Sequence, residues 1–271
     1  MSDPQVTRLE VTRVAGGTLT RAEDAVAVER ALEIRVGGRA LSVTLRTPGH
    51  DEELAIGFLS GEGLIARAAD VAAADATPAA CSDQPDAIDL RLAPAVRVDW
   101  TRLERHFAAS AACGLCGRAH LESLRAGLTP IAGGPSFAAP AIAELPGRLR
   151  ASQAAFCATG GLHAAAWCDE MLAPHVVRED VGRHNAVDKV AGWLVREGRY
   201  PAGAGLLWVS GRAGAELVLK AARARIPVLA AVGAPSSLAV ELAQAAGMTL
   251  IGFLREGRMN IYCGVERIRA V

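Results

Sequence analysis

From about residue 148 onward the chain alternates short apolar runs with helical stretches, and no other feature constrains its fold as tightly. The runs ARIPVLAAVG and MTLIGFLR suit buried strands. Residues 214–224 and 235–246 have helical spacing, the second entered through Pro235-Ser236-Ser237 and closed by Gly247. A strand, helix, strand, helix, strand succession predicts a largely parallel sheet covered on both faces.

The first hundred residues read differently. VTRLEVTRV and AVERALEIRVGGRALSVTLR are strand-like, and the second alternates apolar and polar residues on both sides of Gly37-Gly38, which predicts a hairpin. In TPGHDEELAIGFLSGEGLI, Leu54, Phe58 and Leu59 share one helical face, with Gly61 and Gly63 near its end. Residues 68–87, rich in Ala, Asp and Pro, read as an exposed loop, and DAIDLRLAPAVRVDW as two further strand pieces. The expected organisation is a β-rich domain at 1–105, a flexible crossing at 106–147 and an α/β domain at 148–271, α+β overall. The crossing holds a CxxC and the Gly/Pro-rich LTPIAGGPSFAAPAIAELPG.

Composition narrows the partners. No apolar run reaches the roughly 18 residues of a membrane span. The start, MSDPQVTRLEVTRV, carries charge where a signal peptide would be apolar, so a soluble cytoplasmic protein is expected. Twenty-nine basic residues balance 29 acidic ones, which gives no global attraction to nucleic acid or membrane. Any anion site must then be local, and with Lys189 and Lys220 the only lysines it would rest on arginine. In a reducing compartment the six cysteines are not expected to form disulfides. Cys81, Cys157, Cys168 and Cys263 are scattered singly and are expected to be small core residues.

Four stretches can carry chemistry. CGLCG holds Cys113 and Cys116, and three readings stay open for it. One is half a zinc site, with His120, His163 or His184 as distant candidates. Another is a thioredoxin-type dithiol. The third is a sulfur nucleophile on a loop that Gly114 and Gly117 make pliable. CATGGLHAAAWC could cradle an anion on Gly160 and Gly161 before a small-residue helix bearing His163, or form a turn with a buried histidine. EDVGRHNAVDKVAGWLVREG predicts a helix from near Gly182 to Gly198, with Asp180, Arg183, His184, Asn185 and Lys189 crowded at its positive end. IGFLREGRMNIY predicts a strand, a turn at Glu256-Gly257 and a return strand, where Arg255 and Arg258 suit a pyrophosphate.

These stretches, together with TPGHDEELAIGFLSGEG and SGRAGAELVLKAARARIPVLAAVGAPSSLAVELA, occur in an order that resembles the formate dehydrogenase accessory sulfurtransferases, the FdhD family. The resemblance runs from about residue 30 to the C-terminus. It implies a larger domain with a cytidine-deaminase-like three-layer α/β/α fold and a smaller β-rich N-terminal domain. It also implies a homodimer that accepts sulfur from a cysteine desulfurase as a persulfide. The sulfur then passes to the molybdenum cofactor in its bis(guanine dinucleotide) form, held as substrate with no permanent cofactor or metal, before insertion into formate dehydrogenase. By position, Cys113 is the implied persulfide carrier and Cys116 an assisting thiol. Phe253, Leu254, Arg255, Glu256, Gly257 and Arg258 form the implied cofactor-binding stretch. Two positions depart from the family pattern: Gly233-Ala234-Pro235-Ser236 stands for SAPT, and Arg225 for a glycine.

The residues fit this chemistry on their own terms, because persulfide formation needs an accessible thiolate and sulfur release needs a second nucleophile or a metal. A zinc deaminase would need H-x-E followed by PCxxC. Here position 165 is Ala, Ala112 precedes Cys113, and the CxxC comes before the histidine. The alternative is a non-catalytic cofactor-binding chaperone, which would tolerate loss of both cysteines.

Overall fold

The computed structural model describes residues 4–81, 84–100 and 128–270. Its N-terminal part is strand-built. β1 (Val6–Ala15) and β2 (Thr18–Ala27) pair along their whole length, as do β3 (Arg30–Val36) and β4 (Arg39–Arg46). Gly16 and Gly17 (φ 56° and 81°) turn the first hairpin, Gly37 and Gly38 (φ 59° and 80°) the second. Two successive positive φ values give the turn whose twist matches that of paired strands, so Gly-Gly is the natural solution. The second hairpin is as expected, whereas β2 carries no clear alternation and was not anticipated.

β3 and β4 join β5 (Val71–Thr77) and β6 (Asp86–Leu92) in a sheet of order β4-β3-β6-β5. The loop expected at 68–87 is thus corrected: it contains a 3-10 turn at Ala68–Asp70 and the edge strand β5. VAAADAT has few of the β-branched residues that mark strands, and an edge position paired on one side tolerates that. The second strand expected in DAIDLRLAPAVRVDW does not form, although Val96, Val98 and Trp100 still pack against the sheet core. Helix α1 (Asp51–Gly61) covers this sheet with Leu54 and Leu59, against Leu32, Ile34, Ile88 and Leu90.

The described part of the crossing is built rather than loose. β7 (Phe137–Ala138), α2 (Ala139–Ala143), α3 (Leu145–Arg150) and α4 (Ala154–Thr159) follow one another. Pro140 and Pro146, which read as loop residues, stand at the first turns of α2 and α3, where a missing N–H costs nothing. Phe137, Ile142, Leu145 and Leu149 are buried.

The remaining elements are β8 (His163–Cys168), β9 (Pro174–Asp180), α5 (Arg183–Arg196), β10 (Leu206–Val209) and α6 (Ala215–Arg223). They continue with β11 (Val228–Ala231), α7 (Ser237–Ala245), β12 (Thr249–Arg255), β13 (Arg258–Cys263) and β14 (Ile268–Arg269), which pairs with β7. The large sheet has the order β13-β12-β11-β10-β8-β9, with β10, β11 and β12 parallel. One face packs on α5, α6 and α7 through Leu207, Val209 and Leu229, and the other on α2 and α3 through Leu206, Val228 and Ile251. The result is the expected α/β/α layering.

The two sheets are tied by α1 crossing α5. A Cβ on Gly57 would lie 1.7 Å from the Asp188 carbonyl oxygen, and one on Gly192 would lie 1.8 Å from that of Glu53. Beside this contact, Lys189 and Asp180 form a wholly buried pair at 2.7 Å. Lys189 also donates to the Thr47 carbonyl (2.9 Å), and Asp180 accepts the Thr47 N–H (3.2 Å), so one ion pair anchors the N-terminal layer. Burial pulls the Lys189 ammonium below its ordinary value, and Asp180 opposes that pull.

Candidate functional site

The parallel strands end in loops whose backbones are stitched together. Gly233 N–H donates to the Gly211 carbonyl (2.9 Å), and Phe253 N–H donates to that of Gly233 (3.0 Å). Glycine is required because the loops touch. A Cβ on Gly233 would sit 3.0 Å from the Arg212 backbone, and one on Gly252 would sit 2.8 Å from Pro235 Cδ. The segments SGR, VGAP and IGF, distant in sequence, thereby form one continuous rim at the carboxyl ends of β10, β11 and β12, the edge where open α/β sheets hold ligands.

The stretch 253–258 extends that rim. Phe253 is 40% exposed and has φ 52°, a left-handed conformation that a bulky residue adopts only under constraint, next to an irregularity in the β12 and β13 pairing. Arg255, Glu256, Gly257 and Arg258 are exposed around the turn, with Gly257 at φ 74°. Leu254 is fully buried in the core, so only its backbone faces the rim.

His163 joins the rim from β8. A Cβ on Gly211 would lie 3.2 Å from His163 Nδ1 and 3.8 Å from Arg183 Cδ, which places ring, loop and guanidinium stem together. Arg183 Nε is buried and has no partner among the described residues. His184 Nε2 lies 3.0 Å from Glu216 Oε2, linking the first turns of α5 and α6. Burial first, then the charges of Arg183 and His184, hold His163 below the ordinary histidine value, so the ring is neutral at pH 7. Because the folded form resists this proton, His163 costs stability as pH falls below the ordinary value. We expect NMR titration to find the His163 midpoint below that of a free histidine and Arg183→Gln to raise it. An unmoved midpoint would separate the two groups.

Other sequence expectations change here. Asp180, Asn185 and Lys189 do structural work: Asn185 Nδ2 donates to Asp180 (3.0 Å) and to the Leu45 carbonyl (2.8 Å). Of the polar group at the start of α5, Arg183 reaches the rim at Gly211, and His184 turns to Glu216 of α6. HAAAWC is a strand rather than a helix, and Gly160 (φ 68°) closes α4 at its C-terminus. Of the two readings of Gly160 and Gly161, the helix N-terminal anion cradle does not form and the turn does, with His163 half-buried after it. Its alanines fit a strand because Trp208 of β10 lies directly across from Ala166.

Behind the rim, on the α2 and α3 face, lies a cleft of about 480 Å³ lined in part by Arg150, Gln153, Phe156, His163, Trp208 and Ser210. Apart from His163, the sequence did not single these out. The only signal is a tryptophan in an apolar strand just before Ser210-Gly211-Arg212.

Cys113 and Cys116 lie outside the described residues. Of the four scattered cysteines, Cys168 is buried, its thiol pushed up by desolvation to about 12, and Cys263 is half-buried and also raised by burial. Cys81 and Cys157 are exposed, contrary to expectation. Among the described residues no three His, Cys, Asp or Glu side chains converge on a possible metal position, and no helix is long and apolar enough to cross a membrane.

The model of one protein family, FdhD/NarQ, matches residues 27–269. The chain belongs to that family. Similar proteins named sulfur carrier protein FdhD include those of Nocardia farcinica, 48% identical over 100% of this chain and 98% of the relative, and Streptomyces coelicolor, 47% identical over 96% and 95%. That of Anaeromyxobacter dehalogenans is 48% identical over 90% of this chain and 88% of its own. The fold of this FdhD/NarQ member matches a crystal structure from Desulfotalea psychrophila, described as a candidate formate dehydrogenase accessory protein. The TM-score is 0.76 at 24% identity, over 98% of this chain and 100% of that one.

Proposed function

We propose that this chain carries sulfur as a persulfide on Cys113 and delivers it, with Cys116 assisting, to the molybdenum cofactor in its bis(guanine dinucleotide) form on the way to formate dehydrogenase. The observation that carries the reading is end-to-end similarity to proteins named sulfur carriers, in a chain that keeps CGLCG. The cysteines at 168 and 263 are poor alternatives, because burial raises both thiols and keeps them protonated.

In this reading the Cys113 thiolate attacks the terminal sulfur of a persulfide on a cysteine desulfurase, forming Cys113–S–SH and releasing the donor's thiolate. Cys116 then attacks the Cys113 sulfur, giving a disulfide and hydrosulfide at the oxidation level the metal takes up; a cellular thiol resets the pair. The rim would hold the cofactor as substrate, with Arg255 and Arg258 on its diphosphate and the turn amides beside them. The carrier works as a cytoplasmic homodimer and needs no resident cofactor.

Cys113→Ala is expected to abolish formate dehydrogenase maturation in cells while leaving the protein folded and able to bind guanine nucleotide. Normal maturation by this variant would remove the carrier role and leave a binding chaperone.

A further inference from the structure

The loops that lead into β10 and β11, at the end of the sheet away from the rim, carry positive charge without counter-charge. Ala202 N–H donates to the Ala224 carbonyl (2.7 Å), which joins the loop after α5 to the loop after α6. Arg199 and Arg223 are exposed there, and Arg225 is half-buried. The Arg199 guanidinium stands 5.6 Å from the Trp167 ring centroid, and Arg223 is near enough to Tyr200 for its charge to act on the phenol. None of the three has an ion-pair partner among the described residues, whereas neighbouring Arg196 reaches Glu52 (3.6 Å). Glu197 is the one acidic residue in 197–202 and 222–226, and the whole chain balances 29 charges of each sign, so the surplus is local. A helix end accounts for part of it: Arg223 lies in the last turn of α6, where a cation offsets exposed carbonyls. Arg199 and Arg225 lie beyond both helices and have no such duty.

This patch also marks where the chain that bears Cys113 and Cys116 rejoins the described fold. Arg225 Nη1 and Nη2 donate to the carbonyls of Thr129 (2.6 Å) and Pro130 (3.2 Å), and Ile131 N–H donates to that of Ala246 (2.8 Å). Arg225 does this from a left-handed backbone (φ 58°), a conformation that favours glycine. Fifteen residues separate Cys113 from Leu128, the first described residue after it, a chain length of at most about 50 Å. A protein docked on the patch is therefore within reach of Cys113.

We infer that Arg199, Arg223 and Arg225 form a docking patch for an acidic surface of the protein that supplies the sulfur. The inference rests on the proposed function for that supply. Exposed charges at the edge of an interface act chiefly on the rate of encounter and on its salt dependence, so the patch serves loading rather than delivery.

The rate of persulfide formation on the full-length chain, read by intact mass with a cysteine desulfurase and cysteine, tests it. Arg199→Glu combined with Arg223→Glu should load about tenfold more slowly than the wild type at about 10 mM salt, where charges act over about 30 Å. It should match the wild type at about 1 M salt, where they act over about 3 Å. Arg199→Lys with Arg223→Lys keeps the charge and should load like the wild type; Arg225 is left in place because it holds the chain. Inorganic tetrasulfide, which gives one sulfur atom to the Cys113 thiolate and leaves as trisulfide, needs no docking and should load every variant alike. Equal desulfurase-driven loading at low salt, or a deficit that persists at 1 M salt, overturns the inference, as does a wild type that binds duplex DNA through these arginines in preference to the desulfurase. A wild type that neither donor loads would overturn the proposed function instead. Desulfurase binding to the wild-type and charge-reversed chains, read by interferometry, would then still decide the patch: weaker binding to the reversed chain supports it, and equal binding overturns it.

Discussion

Gly192→Ala is expected to leave little or no folded protein. The new methyl carbon would lie 1.8 Å from the Glu53 carbonyl oxygen and 2.5 Å from its carbon, and both are backbone atoms of α1 that no rotamer change can move. Relief requires the helices to separate by more than an ångström, which opens the interface along its length. Overpacking of this kind costs more than about 3 kcal/mol, a large share of an ordinary domain's stability. Gly57→Ala should fail equally, since its methyl would meet the Asp188 carbonyl at 1.7 Å. Gly147→Ala, in α3 with open space around it, is the control and should be neutral or slightly stabilising. Soluble yield and thermal midpoint check all three, and a Gly192→Ala protein that melts with the wild type would refute the crossing described above.

Lys189→Met is expected to destabilise by about 3–5 kcal/mol, because it strands the Asp180 carboxylate with no exposure and no counter-charge. Two carbonyls, those of Thr47 and Glu179, also lose the ammonium donor. Adding Asp180→Asn removes the stranded charge and should recover a substantial part of the loss. Urea unfolding of the single and double variants reads this, and a Lys189→Met loss below about 1 kcal/mol would mean the pair is not buried as described.

Both experiments probe a joint that the sequence only half disclosed. DVGRHNAVDK advertised polar residues at a helix start, and a ligand site was the natural reading. Their division between Thr47 and Leu45 on one side and Gly211 on the other depends on chain segments more than 130 residues away for the first pair, which no local pattern encodes. The elements that were legible are those whose signals are local. The Gly37-Gly38 hairpin, α6, and α7 with Ser236 accepting the Ala239 N–H (3.2 Å) each carry their own turn or cap chemistry. β8 was misread because alanine runs suit either state until Trp208 settles across from Ala166. The turn at Glu256-Gly257 and the role of His163 as a polar residue near a loop were readable. The cleft was not, since Arg150, Trp208 and Ser210 come from separate segments and meet only in the fold.

The proposed carriage of sulfur on Cys113 is tested most directly by intact-protein mass. After incubation with a cysteine desulfurase and cysteine, the wild-type chain should gain the mass of one sulfur atom. Reductant should remove that mass, peptide mapping should place it on Cys113, and Cys113→Ala should show none of it. No gain by the wild type, or an equal gain by Cys113→Ala, would contradict the account.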